Sequence, residues 1–187
     1  MKLIRLDLHV HSTHSIDGQC SLKEIVKVAR EKGLNGVALA DHNTIDGHKE
    51  IRYFAKEKNF LIIPGVEVSS SCGHIVALGV NKPIPRGLSP AETVKLIHRQ
   101  GGVAIAAHPF IIGRNPNLVY KAKFDAIEGL NARAILLANP LAQNFAKKNK
   151  ISIVGGSDAH HCDEVGLAYT ELECELELES ILNEIRK

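Results

Sequence analysis

The sequence predicts an α/β fold in which a parallel sheet closes into a small barrel. Two observations carry this. Strand-like apolar runs alternate with helix-period segments about seven times along the 187 residues, the pattern of repeated βα units. Residues that bind metals or protons recur where those runs end, as expected if the carboxyl ends of the strands share one rim.

The first strand spans 3–12. Alternation puts Asp7, His9 and His11 on one face and Leu6, Leu8 and Val10 on the other. A loop at 14–18 leads to a helix whose start is marked by Ser21 and Glu24, a capping-box pair. Its stripe of Ile25, Val26, Val28 and Ala29 runs on to Gly33. A short buried strand at 36–40 ends in Asp41-His42-Asn43, and a second amphipathic helix covers about 46–58. The third strand, 60–68, contains Glu67, and a further apolar run opens at Gly73-His74. Ser89, Pro90 and Glu92 begin the next helix in favoured cap positions.

A strand at 102–107 then delivers His108-Pro109, and 110–124 is the longest irregular stretch. A strand from 125 to 130 ends in Asn131. A helix follows over about 134–149, with Pro140 expected to disturb it. The strand at 151–155 leads into Gly156-Ser157-Asp158-Ala159-His160-His161. A strand near 168–172 and a helix near 178–185 close the chain. No internal repeat or linker divides it, so 1–187 is expected to be one domain.

Composition excludes several classes. Hydrophobic residues make up 44% and charged ones 24%, and the net charge is +2, which gives no argument for a strong nucleic-acid binder. Neither a membrane span nor a secretory leader is evident, so a cytoplasmic location is expected. Cys20, Cys72, Cys162 and Cys174 form no CxxC pair and are expected to be reduced thiols. Ten histidines are many for this length. Their positions carry the chemistry.

His9, His11, Asp41, His42, Glu67, His108, Asp158 and His160 all follow or close predicted strands. Imidazole and carboxylate without thiolate suit zinc, manganese or iron, and the set exceeds what one tetrahedral ion can hold. A carboxylate such as Glu67 can bridge two cations. Paired metals clamp a displacement at phosphorus and lower the pKa of bound water to about 7.

These residues resemble the polymerase and histidinol phosphatase (PHP) superfamily of metal-dependent phosphoesterases. The resemblance covers essentially the whole chain. It rests on Asp7-Leu8-His9-Val10-His11-Ser12, Ile16-Asp17-Gly18, Asp41-His42-Asn43-Thr44, Gly65-Val66-Glu67, His108-Pro109 and Gly156-Ser157-Asp158-Ala159-His160-His161. It implies a distorted (β/α)7 TIM-like barrel with two or three divalent metals, Zn, Mn or Fe. His9, His11, Glu67 and Asp158 would hold one metal. Glu67, His74 and His108 would hold a second, and Asp17, His42 and His160 a third. It also implies attack on phosphorus by a metal-activated hydroxide, with a small phosphorylated molecule or short nucleic acid as substrate.

Around these ligands, Asp7 and Asp41 are candidates to orient metal-binding residues from behind, although Asp41 equally suits a helix cap. His14 and His161 are weak candidates for contacting phosphate or protonating the leaving oxygen. Arg114, Asn131 and Arg133 are candidate substrate contacts on the rim. His48 and His98 read as surface residues. Two other functions compete: a non-catalytic RNA-binding or scaffold subunit, and a metal-dependent amidohydrolase. Retention of every ligand position weighs against the first. No lysine ends a strand where the amidohydrolases' bridging group would sit, which weighs against the second.

Overall fold

In the computed structural model, which describes residues 2–54 and 59–187, the wall of a barrel is built in the order β7, β6, β5, β4, β3, β2, β1, β8. The strands are β1 (Lys2–Val10), β2 (Gly36–Leu39), β3 (Leu61–Ser70), β4 (Gly73–Leu78), β5 (Val103–Ala106), β6 (Ala126–Asn131), β7 (Ser152–Gly156) and β8 (Thr170–Cys174). Five helices accompany them among the described residues: α1 (Leu22–Glu31), α2 (His48–Phe54), α3 (Pro90–Arg99), α4 (Ala138–Asn149) and α5 (Leu178–Ile185). The predicted α/β barrel is therefore the fold.

The sheet is mixed rather than wholly parallel. β4 is antiparallel to both β3 and β5, and β8 is antiparallel to β1. β3 and β4 form a hairpin, because no helix-period segment separates them. The barrel closes where the chain beyond β7 meets the top of β1. There Val10 bridges Ala159, and the Asp158 N–H donates to the His9 carbonyl at 2.8 Å. β8 occupies the lower half of β1 instead, pairing residues 170–174 with 2–6.

Alternation in β1 is broken by a bulge. Asp7 pairs with Val37 and Val10 with Leu39, so β1 uses three steps where β2 uses two. Leu6 and Leu8 pack in the barrel interior with Ala38, Ala40 and Ile63, whereas Val10 packs outside with Val37, Leu39 and α1. The expectation that Asp7, His9 and His11 share one face is therefore corrected: Asp7 lies opposite the two histidines. A second bulge interrupts β6, where Glu128 pairs with Val154 and Leu130 with Gly155.

The apolar interior is stoppered at its lower end by Ile181, Leu182 and Ile185 of α5. α1 covers β1 and β2, while α3 and α4 cover the β3–β6 side. The helix boundaries differ from expectation in two places. α2 starts at His48 rather than 46, and the expected continuation over 55–58 lies outside the described residues. α4 starts at Ala138 rather than 134. That places Pro140 in the first turn, where its missing N–H costs no helical bond, so it does not disturb the helix.

One expectation about cysteine is overturned. Cys20 and Cys162 form a disulfide with their Cα atoms 5.2 Å apart, and Cys72 and Cys174 are free. The two partners are 142 residues apart in sequence, so local spacing carried no sign of the pairing. Among the described residues, no helix is long and apolar enough to cross a membrane.

Candidate metal centre

Glu67 stands at the centre of the upper barrel with no exposed surface. Its Oε1 lies 2.8 Å from His74 Nδ1 and 2.9 Å from His108 Nε2. Its Oε2 lies 2.8 Å from His42 Nδ1 and 3.6 Å from Nε2 of both His9 and His11. Asp158 faces it from the β7 loop, with Oδ1 3.3 Å from His11 Nε2 and 3.7 Å from His9 Nε2. At the outer lip Asp17 Oδ2 lies 3.4 Å from His42 Nε2 and 3.2 Å from His160 Nε2. The structure thus brings together all nine residues expected to be ligands.

The topology explains how they meet. His9 and His11 end β1, His42 follows β2, His108 follows β5, and Asp158 and His160 follow β7, all at the rim where the parallel strands finish. β4 runs the other way, so His74 reaches the same rim from the start of its strand, paired with Ser69 of β3. Three rim residues have left-handed backbones that non-glycine residues adopt at a cost: Asn43 (φ 55°), His108 (φ 31°) and Asp158 (φ 56°). Such strain, about 1–3 kcal/mol per residue, persists where surrounding contacts hold it and concentrates at functional sites.

Whether these residues suit a metal is answered by their unpaired atoms. His9 Nε2, His11 Nε2, Glu67 Oε2 (close to His42 Nδ1 but not aligned with it for a hydrogen bond) and His108 Nδ1 are buried without a hydrogen-bond partner. Leaving buried polar atoms unpaired is costly. The first three converge: His9, His11 and Glu67 offer ligand atoms within 4.8 Å of one another, as do the triads His11-His42-His160, His9-His108-Asp158 and His42-Glu67-His74. Nitrogen and oxygen donors in this arrangement fit a divalent cation.

The charges agree. Burial works against a charged His9, yet the carboxylates of Glu128, Asp158 and Glu67 outweigh it and hold the imidazolium well above the usual histidine range. Burial would raise Glu67, but the charge of His9 and the close imidazoles of His108, His42 and His74 hold it well below the usual carboxylate range. Burial would likewise raise Asp158, which His9 and His11 keep ionised. Burial shifts His11 down, towards the neutral ligand form. The interior thus holds ionised carboxylates around a charged His9, a balance that a divalent cation would take over by displacing the His9 Nε2 proton.

The supporting residues differ from expectation. Asp7 accepts from the Ser157 hydroxyl at 2.6 Å and from the backbone of Ser157 and Gly166, so it holds the loop bearing Asp158 rather than touching a ligand side chain. Burial pushes its carboxyl up to about 6. Asp41 neither orients a ligand histidine nor caps α2; it accepts from Ser12 N at 2.6 Å and from the Ser12 hydroxyl. Ser15, which its residue type did not signal, lies 3.2 Å from His11 Nδ1 and accepts from His42 N at 2.8 Å.

Asn131 is buried and not positioned to meet substrate. Its Nδ2 donates to Glu128 Oε2 at 3.0 Å and to Asp158 Oδ2 at 3.2 Å. Glu128, also buried, was legible only as a charged residue within an apolar strand. Arg114 reaches to 3.2 Å from His74 Nε2, and Arg133 pairs with Glu164. The two arginines flank a mouth of about 150 Å³ lined also by His108, Ile111 and Asp158. His14 is turned to Glu50 at 2.6 Å, and His161 is exposed. His48 is not a surface residue: it is partly buried, with Nε2 donating to the Gly65 carbonyl.

A barrel carrying a histidine–carboxylate cluster at its rim defines a metal-binding enzyme scaffold. The chain belongs to the PHP family: residues 7–104 match the PHP domain, and 137–187 match the segment described as PHP-associated. It is 38% identical over 141 residues to an uncharacterised protein of Methanocaldococcus jannaschii, covering 69% of this chain and 82% of that one. It is also 38% identical over 105 residues to a 5'-3' exoribonuclease of Haemophilus influenzae, covering 54% of this chain and 38% of that one. Among solved structures, a lesion-specific endonuclease of Pyrococcus furiosus superposes with a TM-score of 0.78 at 19% identity, covering 99% of this chain and 56% of that one. The chain therefore spans a third to little more than half of these two nucleases. Both nucleases are hydrolases of phosphate esters.

Proposed function

We propose that this protein is a metal-dependent phosphoesterase acting on nucleotides, short oligonucleotides or other small phosphorylated molecules. The observation that carries the reading is the convergence of His9 Nε2, His11 Nε2 and Glu67 Oε2, buried and without partners, on one point of the rim. In this reading His9, His11, Glu67 and Asp158 hold one divalent cation. Glu67, His74 and His108 hold a second, and Asp17, His42 and His160 a third. Bound metals supply charge to the phosphoryl oxygens and an activated water at neutral pH.

The chain's own groups do the rest. Glu67 faces one oxygen to His74 and His108 and the other to His9, His11 and His42, so it can serve two cations at once. Asp158, fixed by Asn131 and by the backbone bond to His9, completes the inner set. Arg114 and Arg133 present guanidinium groups at a mouth sized for a phosphoryl group, with the organic remainder on the solvent side. His161, exposed next to His160, is the candidate to protonate a leaving oxygen.

The test is a panel of nucleoside mono- and bisphosphates, dinucleotides and single-stranded oligonucleotides, assayed with manganese and with zinc. Turnover should require metal and vanish in Glu67→Gln. Arg114→Ala should raise KM more than it lowers kcat, because the guanidinium binds ground state and transition state alike. Full turnover in metal-stripped protein, or none across the panel in the loaded protein, overturns the reading.

A further inference from the structure

We propose that Glu128 is a positioning residue that aims the ligands of this centre from behind, binding neither metal nor substrate itself. The inference rests on the metal reading of the site and deepens it. Glu128 is 3% exposed and sits on β6 between Ile127 and Gly129. Its Oε1 lies 2.9 Å from His9 Nδ1, on the side of the ring away from Glu67 and Asp158. Its Oε2 accepts from the His108 backbone N–H at 2.7 Å and from Asn131 Nδ2 at 3.0 Å. Asn131 passes the restraint on to Asp158 at 3.2 Å.

Each contact has a definite consequence. An acceptor at His9 Nδ1 keeps a proton on that nitrogen, so when the ring gives up its other proton to bind metal the lone pair falls on Nε2, the atom that is buried without a partner. The bond to His108 N holds a residue whose φ of 31° is otherwise unfavourable. The bulge in β6 makes the arrangement possible. It inserts one residue after Glu128, so Glu128 and Asn131, three positions apart, both turn into the barrel while Leu130 is 42% exposed. All three partners are N–H donors, so only a carboxylate satisfies them together. Glutamine has one acceptor oxygen and must present its amide N–H either to His9 or to the His108 and Asn131 donors.

The experiment measures zinc affinity of the full chain by competition with a chromophoric chelator, comparing wild type, Glu128→Ala, Glu128→Gln and the exposed control Glu175→Ala. Loss of an outer hydrogen-bond partner of a metal ligand weakens binding about 10–100-fold, and that is the expected result for Glu128→Ala. Glu128→Gln should fall between it and wild type, and the control should match wild type. In zinc-loaded, 15N-labelled protein the His9 Nδ1–H proton should resonate far downfield in wild type and lose that position in Glu128→Ala, a change that general loosening does not produce. Should Glu128→Ala fail to fold by circular dichroism, the near-isosteric glutamine variant carries both measurements. Wild-type affinity in both variants, or an unmoved His9 resonance, overturns the proposal. A wild-type chain that binds no zinc overturns it together with the metal reading. Tight zinc binding that depends on Glu128, without turnover of any phosphate ester, overturns the proposed function alone.

Discussion

Gly156 marks the point where β7 comes closest to β1. A Cβ there would lie 2.5 Å from His9 Cβ, 2.9 Å from His9 N and 3.1 Å from Glu128 Oε1. Two of these atoms are part of, or bonded directly to, a backbone held in the barrel seam, so they cannot swing aside. Gly156→Ala should cost about 1–3 kcal/mol, the usual penalty for overpacking a fitted site, read as a lowered urea midpoint. It should weaken zinc binding as well, since relief of the clash moves His9. An unchanged midpoint would show that the seam yields freely. At this scale the sequence made the ligands legible through their types, because histidines and acids are costly to bury unless they bind something. It did not make Asp7 legible: strict alternation assigned it to the face of His9 and His11, and a bulge inverted that. Glu128 and Ser15 were missed because their bonds depend on bulges and loop closure rather than spacing.

Among the elements, the strand–helix alternation was legible because each αβ unit carries its own period and caps, and the caps at Ser21 and Ser89 form as read. The direction of β4 was not. A tight connection of two residues between β3 and β4 fixes an antiparallel hairpin, and that brings His74 to the rim from the wrong end of a strand for the expected pattern. The loops also hold a tie between distant parts. Cys20, just past the Asp17 loop, is bonded to Cys162, two residues beyond His160. A crosslink across 142 residues restricts the unfolded chain and stabilises the fold by about 2–5 kcal/mol. Cys20→Ser and Cys162→Ser should each lower the denaturation midpoint under oxidising conditions, and the double variant should be no worse than either alone. Reducing agent should bring wild type to the same value. Equal midpoints for oxidised and reduced wild type would show that the bond contributes nothing to stability.

Taken whole, the molecule divides into a dry lower barrel and a polar upper rim. Ile4, Leu6, Leu8, Ala38, Ile63, Leu78 and the α5 side chains fill the lower part without help from the site. Above them Glu67, Asp158 and Glu128 are gathered among five or more imidazoles, with Glu67 and Asp158 kept ionised by neighbouring histidines. A cation bound by the folded chain and not by the unfolded one adds RT ln(1 + [M]/Kd), about 4 kcal/mol at a thousandfold excess over Kd. Stripping metal with a chelator should therefore lower Tm by several degrees while the far-ultraviolet circular dichroism at room temperature stays that of the folded barrel. Readdition of manganese or zinc should restore Tm in a concentration-dependent way, and Glu67→Gln should blunt the response. The two halves make opposite demands on this experiment. If the rim needed metal to fold at all, chelation would unfold the barrel. If the rim bound no metal, Tm would not respond to chelator or to added ions. Only a folded barrel with a metal-dependent Tm fits an apolar core that folds by itself beneath a rim whose charge is completed by cations.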